Sequence, residues 1–166
     1  MTLSFTQKIN GKPNYFVHKI WRGILYHRLS DADFVSFCYQ PWFKKFGETC
    51  PMMDGLNVPP KLHTIRLDPH NRWRPGMKIH PVINNRSENR FQFAPTMLCM
   101  STHRIDVVRK CNDIDVGWIY VDGKPITGDK IIKLAINDGF DSVEDFFNYF
   151  NKDFTGKLIH WTDLKY

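Results

Sequence analysis

The sequence has no Cys-x-x-Cys pair, no long apolar run, no internal repeat and no low-complexity tract. Its four cysteines, Cys38, Cys50, Cys99 and Cys111, are widely spaced and outline no disulfide framework. With no export signal in view, reduced thiols are expected. A zinc site built from them with His63, His70 or His80 would match none of the usual ligand spacings, so neither a metal nor a cofactor is expected. No segment approaches the run of about 20 apolar residues that a bilayer-spanning helix needs, which argues against a membrane partner. Met1–Gln7 lacks the charged-then-apolar pattern of a signal peptide, and a soluble cytoplasmic protein is expected.

What is present is enough for a packed core. The 166 residues are 42% hydrophobic and 14% aromatic, which suits one domain rather than a disordered chain. The net charge of +6 is spread unevenly. Residues 1–60 balance at +3, residues 61–110 carry 10 basic and 3 acidic side chains for +7, and residues 111–166 balance at −4. The basic middle third holds Arg66, Arg72, Arg74, Arg86 and Arg90, interleaved with Trp73, Phe91 and Phe93. Arginines beside exposed aromatics suit phosphate contact with base stacking. The plainer alternative is a solvated basic face with its aromatics in the core.

Along the chain, residues 5–9 alternate weakly as a first strand. Phe16, Val17, Ile20, Trp21, Ile24 and Leu25 then share one helical face, with Pro13 suited to the first turn. Ser30-x-x-Asp33 predicts a cap for a short helix carrying Phe34, Val35, Phe37 and Cys38. Residues 47–60, with Gly47, Pro51, Gly55, Pro59 and Pro60, read as a loop. Strands are predicted at Leu62–Arg66, Met77–Ile83 and Met97–Val108, and a tight hairpin at Trp118–Ile126 around Asp122-Gly123. Asp129 opens a helix that Gly139 ends, and a capping box at Asp141–Glu144 opens another through Val143, Phe146, Phe147 and Phe150. A last strand covers Lys157–Trp161; His160 and Trp161 could line a cleft, with a core or edge role as the plainer reading. This order suits an α+β domain around a small, mostly antiparallel β-barrel.

Lys61-x-x-Thr64-Ile65-Arg66, Gly76 near the following strand, and Ala135-Ile136-Asn137-Asp138-Gly139-Phe140 before a Ser-capped helix resemble the ASCH family of the PUA-like superfamily. The likeness covers residues 5–25 and 59–166 of a single domain spanning 1–166, with 26–58 as an insertion. It implies a compact barrel flanked by helices, with a cleft facing RNA or a nucleoside. Small bacterial members similar at this motif remove the acetyl group from acetylcytidine with a Lys, a Thr and a Glu. By motif these fall on Lys61 and Thr64, with Asp138 one carbon shorter than the Glu. Other members are associated with RNA cleavage or RNA binding, so three readings stay open: amide hydrolysis on a modified cytidine, non-catalytic recognition of RNA or a modified base, and RNA cleavage.

The chemistry has its own logic. A threonine hydroxyl needs a base before it can attack, and a lysine serves only when burial or nearby cations depress its pKa. Asp138 would shuttle a proton to the leaving amine, and Arg66 would orient a phosphate or stabilise an oxyanion. Arg72, Trp73, Arg74, Arg86 and Arg90 would bind substrate. Positions 61 and 64 point to opposite faces of a regular strand, so Lys61 has to precede the strand or follow a bulge.

Overall fold

A computed structural model describes residues 1–53, 58–109 and 117–166. Gly55 of the predicted loop and Cys111 lie outside the described residues. The first half runs β1 (Thr2–Ser4), β2 (Lys8–Ile9), β3 (Lys12–Pro13), α1 (Phe16–Tyr26), a π-helical turn (Val35–Tyr39) and α2 (Gln40–Phe46). Next come β4 (His63–Arg66), β5 (Lys78–Ile83), β6 (Phe91–Gln92), β7 (Met97–Leu98) and β8 (Ser101–Val108). The chain continues through β9 (Trp118–Val121), β10 (Lys124–Ile126), α3 (Asp129–Asn137), α4 (Val143–Tyr149) and β11 (Phe154–His160). The architecture is α+β. The strands form a four-, a five- and a two-stranded sheet, all open, and no closed barrel is traced among the described residues.

The described residues group into two compact units, each made of two stretches of chain. Unit 1 is Met1–Lys61 with Met77–Leu98, and unit 2 is Leu62–Gly76 with Cys99–Tyr166. The span of the single domain expected over 1–166 thus holds two units, and the described part of the 26–58 segment falls in unit 1.

In unit 1, α1 buries Phe16, Val17, Ile20, Trp21 and Ile24 as the 3.6-residue period requires, but Leu25 is exposed at the stripe's edge. Pro13 lies in β3 and not in the helix, since Tyr15 takes a left-handed conformation between them. Asp33, rather than the Ser30 that the pattern names as cap, accepts the Ser36 amide at 2.9 Å, and the short helix it opens is a π-helical turn. β1 runs parallel to β5, while β6 and β7 pair antiparallel with its other edge. Pro81 sits on β5 between the Lys78–Ile79 pairing with β7 and the Val82–Ile83 pairing with β6. A proline has no N–H to give a ladder, so the partner changes at that residue.

Unit 2 is built on the antiparallel order β10-β9-β8-β11-β4. Ile65, Leu158, Ile105, Val107, Ile119 and Val121 lie in register on one buried face. The hairpin forms as predicted: Asp122 and Gly123 have φ of 50° and 75°, the double positive φ of a primed turn. Ser142 caps α4 by accepting the Asp145 amide at 3.0 Å, and Phe146, Phe147 and Phe150 fill the core. The predicted strand Met97–Val108 is divided: Met97–Leu98 belongs to unit 1 and Ser101–Val108 to unit 2.

Candidate functional site

The residues singled out by sequence are distributed over both units. Lys61 ends a stretch of unit 1, where its amide donates to Lys19 O at 3.0 Å. Its side chain is buried, with Nζ 4.5 Å from the Phe16 ring centroid. β4 begins at His63, so Lys61 precedes the strand as its odd separation from Thr64 demanded. Thr64, in unit 2, is buried opposite Ile159. Asp138 follows α3 and accepts the Ile65 amide at 3.1 Å, while Leu62 donates to Asn137 O at 2.8 Å. β4 is an edge strand, and the end of α3 therefore satisfies backbone donors that would otherwise invite pairing. Asp138 thus has a structural task besides any chemical one.

The basic residues divide likewise. Arg66 is half-buried at the end of β4; burial pushes its pKa down, and the charges of Asp138 and Tyr149 oppose that. Arg72 and Arg74 are exposed on the 67–76 loop of unit 2. Trp73 is buried and offers no face to a base. The loop is organised by Asp68, whose carboxylate accepts the Arg72 and Trp73 amides at 2.9 Å each and lies 3.4 Å from Lys157 Nζ. Burial would raise the Asp68 pKa, but those donors and the lysine hold it below the usual range. Arg86 and Arg90 are exposed on the 84–90 loop of unit 1.

Unit 1 contains a cleft of about 550 Å³ walled by Tyr15, Phe16 and Trp42, with Gln7, Lys8 and Glu48 at its polar edge. Trp42 packs on Phe46 and Phe91 at ring-centroid distances of 4.9 and 5.7 Å. Its indole Nε1 is buried and has no hydrogen-bond partner among the described residues. Gln7 Nε2 donates to Asn84 Oδ1 at 3.3 Å, which ties the arginine-bearing 84–90 loop to the cleft's edge.

Unit 2 gathers a second polar cluster at one end of its buried sheet face. His63 and His160 are direct cross-strand partners, with ring centroids 5.0 Å apart, and His103 stacks edge-on against His160 at 5.4 Å. Tyr166 O lies 3.2 Å from His63 Nδ1 and accepts Asn137 Nδ2 at 3.0 Å. Burial raises the Tyr166 pKa, against the Asn137 hydrogen bond and together with the Asp138 charge. His160 is fully buried, and neither ring nitrogen has a hydrogen-bond partner among the described residues. Burial first, then the charge of His103, lowers its pKa to about 4. Among the described residues, no three His, Cys, Asp or Glu side chains are grouped to hold a metal ion. No described helix is long and apolar enough to cross a membrane.

No family model, curated protein or solved structure matches the chain. A functional reading therefore rests on the geometry of the two units.

Sequence reasoning gave Ser101, His103 and Tyr166 no role in a site and read Asp122 only as a turn former. Ser101-x-His103 did hold a signal, because residues two apart on a strand share a face. The other relations join strands or loops distant in sequence, and nothing local announces them.

Proposed function

We propose that the chain is a nucleoside- or RNA-engaging module similar to the ASCH branch of the PUA-like superfamily, and that the unit 1 cleft takes the base. The barrel and the 26–58 insertion implied by that likeness belong to the same proposal. The observation that carries the reading is the buried Trp42 N–H without a partner among the described residues, in the wall of an aromatic cleft. An unpaired buried donor is costly, and a turn of the indole that brings Nε1 to the cleft would let a base carbonyl or ring nitrogen satisfy it. The half-buried Tyr15 supplies stacking surface, and Gln7 and Glu48 supply groups for a base edge. Arg86, Arg90 and Lys8 provide cations for phosphates beside that edge.

The test is titration with cytidine, cytidine monophosphate and a short single-stranded RNA at several salt concentrations, followed by tryptophan fluorescence. Trp42→Phe keeps an aromatic ring and removes the donor, and should weaken all three ligands about tenfold. Arg86→Ala and Arg90→Ala should weaken only the phosphate-bearing ligands and flatten the salt dependence by roughly one unit each. Unchanged affinity in Trp42→Phe would sink the reading.

Hydrolysis of an amide on an acylated cytidine is the second reading. It is supported within unit 2 by Thr64 and Asp138, both buried, with Asp138 accepting the Ile65 amide beside Thr64, and Lys61 enters it through the motif likeness alone. Acetate released from acetylcytidine, and lost in Thr64→Ala, separates it from binding alone.

A further inference from the structure

Ser101, His103 and Asp122 stand in the order nucleophile, base and carboxylate within unit 2. Ser101 Oγ lies 3.2 Å from His103 Nε2, and His103 Nδ1 lies 2.7 Å from Asp122 Oδ2. An ionised carboxylate only accepts, so the imidazole proton sits on Nδ1 and Nε2 is left to accept from the serine. We propose that these three residues are a hydrolytic triad acting on short-chain acyl esters, with Ser101 as nucleophile, His103 as general base and Asp122 as the positioning carboxylate. The assignment goes beyond the nucleoside reading and does not depend on it, since the Trp42 cleft belongs to unit 1.

Three further observations distinguish the arrangement from a chance strand contact. First, Asp122 is held from both sides: its Oδ1 accepts the Arg104 amide at 2.9 Å, and its own amide donates to Arg104 O at 2.9 Å. Its positive φ in the β9–β10 turn aims it back at β8. Burial would raise the Asp122 pKa, but the His103 hydrogen bond, the Arg104 amide and the charges of His103 and Lys124 bring it below the usual value. Second, the site is reachable, because the His103 and Asp122 side chains are 28% and 54% exposed. Third, His160 is the direct cross-strand partner of Ser101, which places the two Cβ atoms about 5 Å apart on one face. Its ring nitrogens, unpartnered among the described residues, are fully buried there. With its pKa near 4 it is neutral at pH 7, so it packs behind Ser101 as an uncharged ring and does not compete with His103 as a charged acid.

Acyl transfer through the triad balances in protons and bonds. His103 Nε2 takes the Ser101 proton as Oγ bonds to the acyl carbon, and the carbonyl π pair moves to oxygen. Collapse of this intermediate breaks the bond to the leaving alkoxide, which takes the proton from His103. Water then attacks the acyl-serine, giving a proton to His103, and Ser101 recovers that proton as the carboxylic acid departs. The buried ring of His160 and the half-buried ring of Tyr166 beside it wall the acyl side, which suits a short chain, and the exposed Asp122 turn leaves room for the alcohol.

The test treats the wild-type chain with a fluorophosphonate, maps the adduct by mass spectrometry, and measures release of 4-nitrophenolate from 4-nitrophenyl acetate. One phosphonyl group on Ser101 is expected, with turnover lowered at least 100-fold in Ser101→Ala and His103→Gln. Asp122→Asn should lower kcat with KM little changed, because the imidazole loses the carboxylate that orients it, whereas a merely structural carboxylate would leave kcat unchanged. Absent labelling, labelling at another residue, or turnover retained in Ser101→Ala overturns the proposal. Nucleotide titration of Ser101→Ala should match wild type, so failure of the triad and failure of the cleft reading are told apart.

Discussion

His160 shows how a side chain's meaning depends on its surroundings. In the sequence it is one histidine on a final strand; in the fold it is fully buried between His63 and His103, with Tyr166 beside it. Its folded pKa of about 4 lies below the ordinary 6.5, so between those values the unfolded chain binds the extra proton. Stability is therefore complete above about pH 6.5 and is lost as pH falls toward 4. The loss is on the order of 3 kcal/mol. Urea midpoints measured from pH 7 to pH 4 should fall in wild type and fall less in His160→Phe, which retains a buried ring without the titrating group. The motif is legible only in part. Leu62 and Ile65 are buried as their apolar character suggests, but the burial of Lys61 and Thr64 is not announced by a basic hexapeptide, since a lysine is seldom buried. The bond from Asp138 to the Ile65 amide is not readable, since it joins residues 73 apart.

Local patterns predict the elements well where one short-range force dominates. The Asp122-Gly123 turn, the Ser142 cap and the α1 stripe all depend on contacts within a few residues. The Met97–Val108 strand is too long as predicted because an apolar alternation carries no mark of where its partner changes. Gly156 makes the same point inside β11. A Cβ there would meet the Arg66 carbonyl oxygen at 2.6 Å and the Phe154 ring at 2.4 Å. The ring can turn aside, but the backbone oxygen of β4 cannot, so Gly156→Ala should cost about 1–3 kcal/mol. Chemical denaturation would register this as a lower midpoint, and a midpoint within error of wild type would show that β4 gives way. By contrast, nothing in the Lys157–Trp161 pattern signals that β11 begins at Phe154.

At the level of the whole molecule, the order of the predicted elements indicates an α+β protein and the charge a basic middle, and the structure divides that middle between two units. Arg72 and Arg74 fall in one and Arg86 and Arg90 in the other, so the +7 of residues 61–110 is not the property of a single body. The chain passes between units after Lys61, Gly76 and Leu98, and no single cut in the gene yields either unit intact. One hydrogen bond offers a way round this: the Gly76 amide donates to Cys99 O at 2.8 Å. The two ends left by removing 77–98 are already neighbours within unit 2. A gene fusing codons 62–76 to 99–166 through a linker of a few glycines should encode a miniature protein carrying the whole five-stranded sheet and Ser101, His103 and Asp122. Cooperative thermal unfolding of that fusion is the expected result, and a featureless melt would show that unit 2 needs the rest of the chain. The same splice would make the ester chemistry assignable without any nucleotide cleft in the tube.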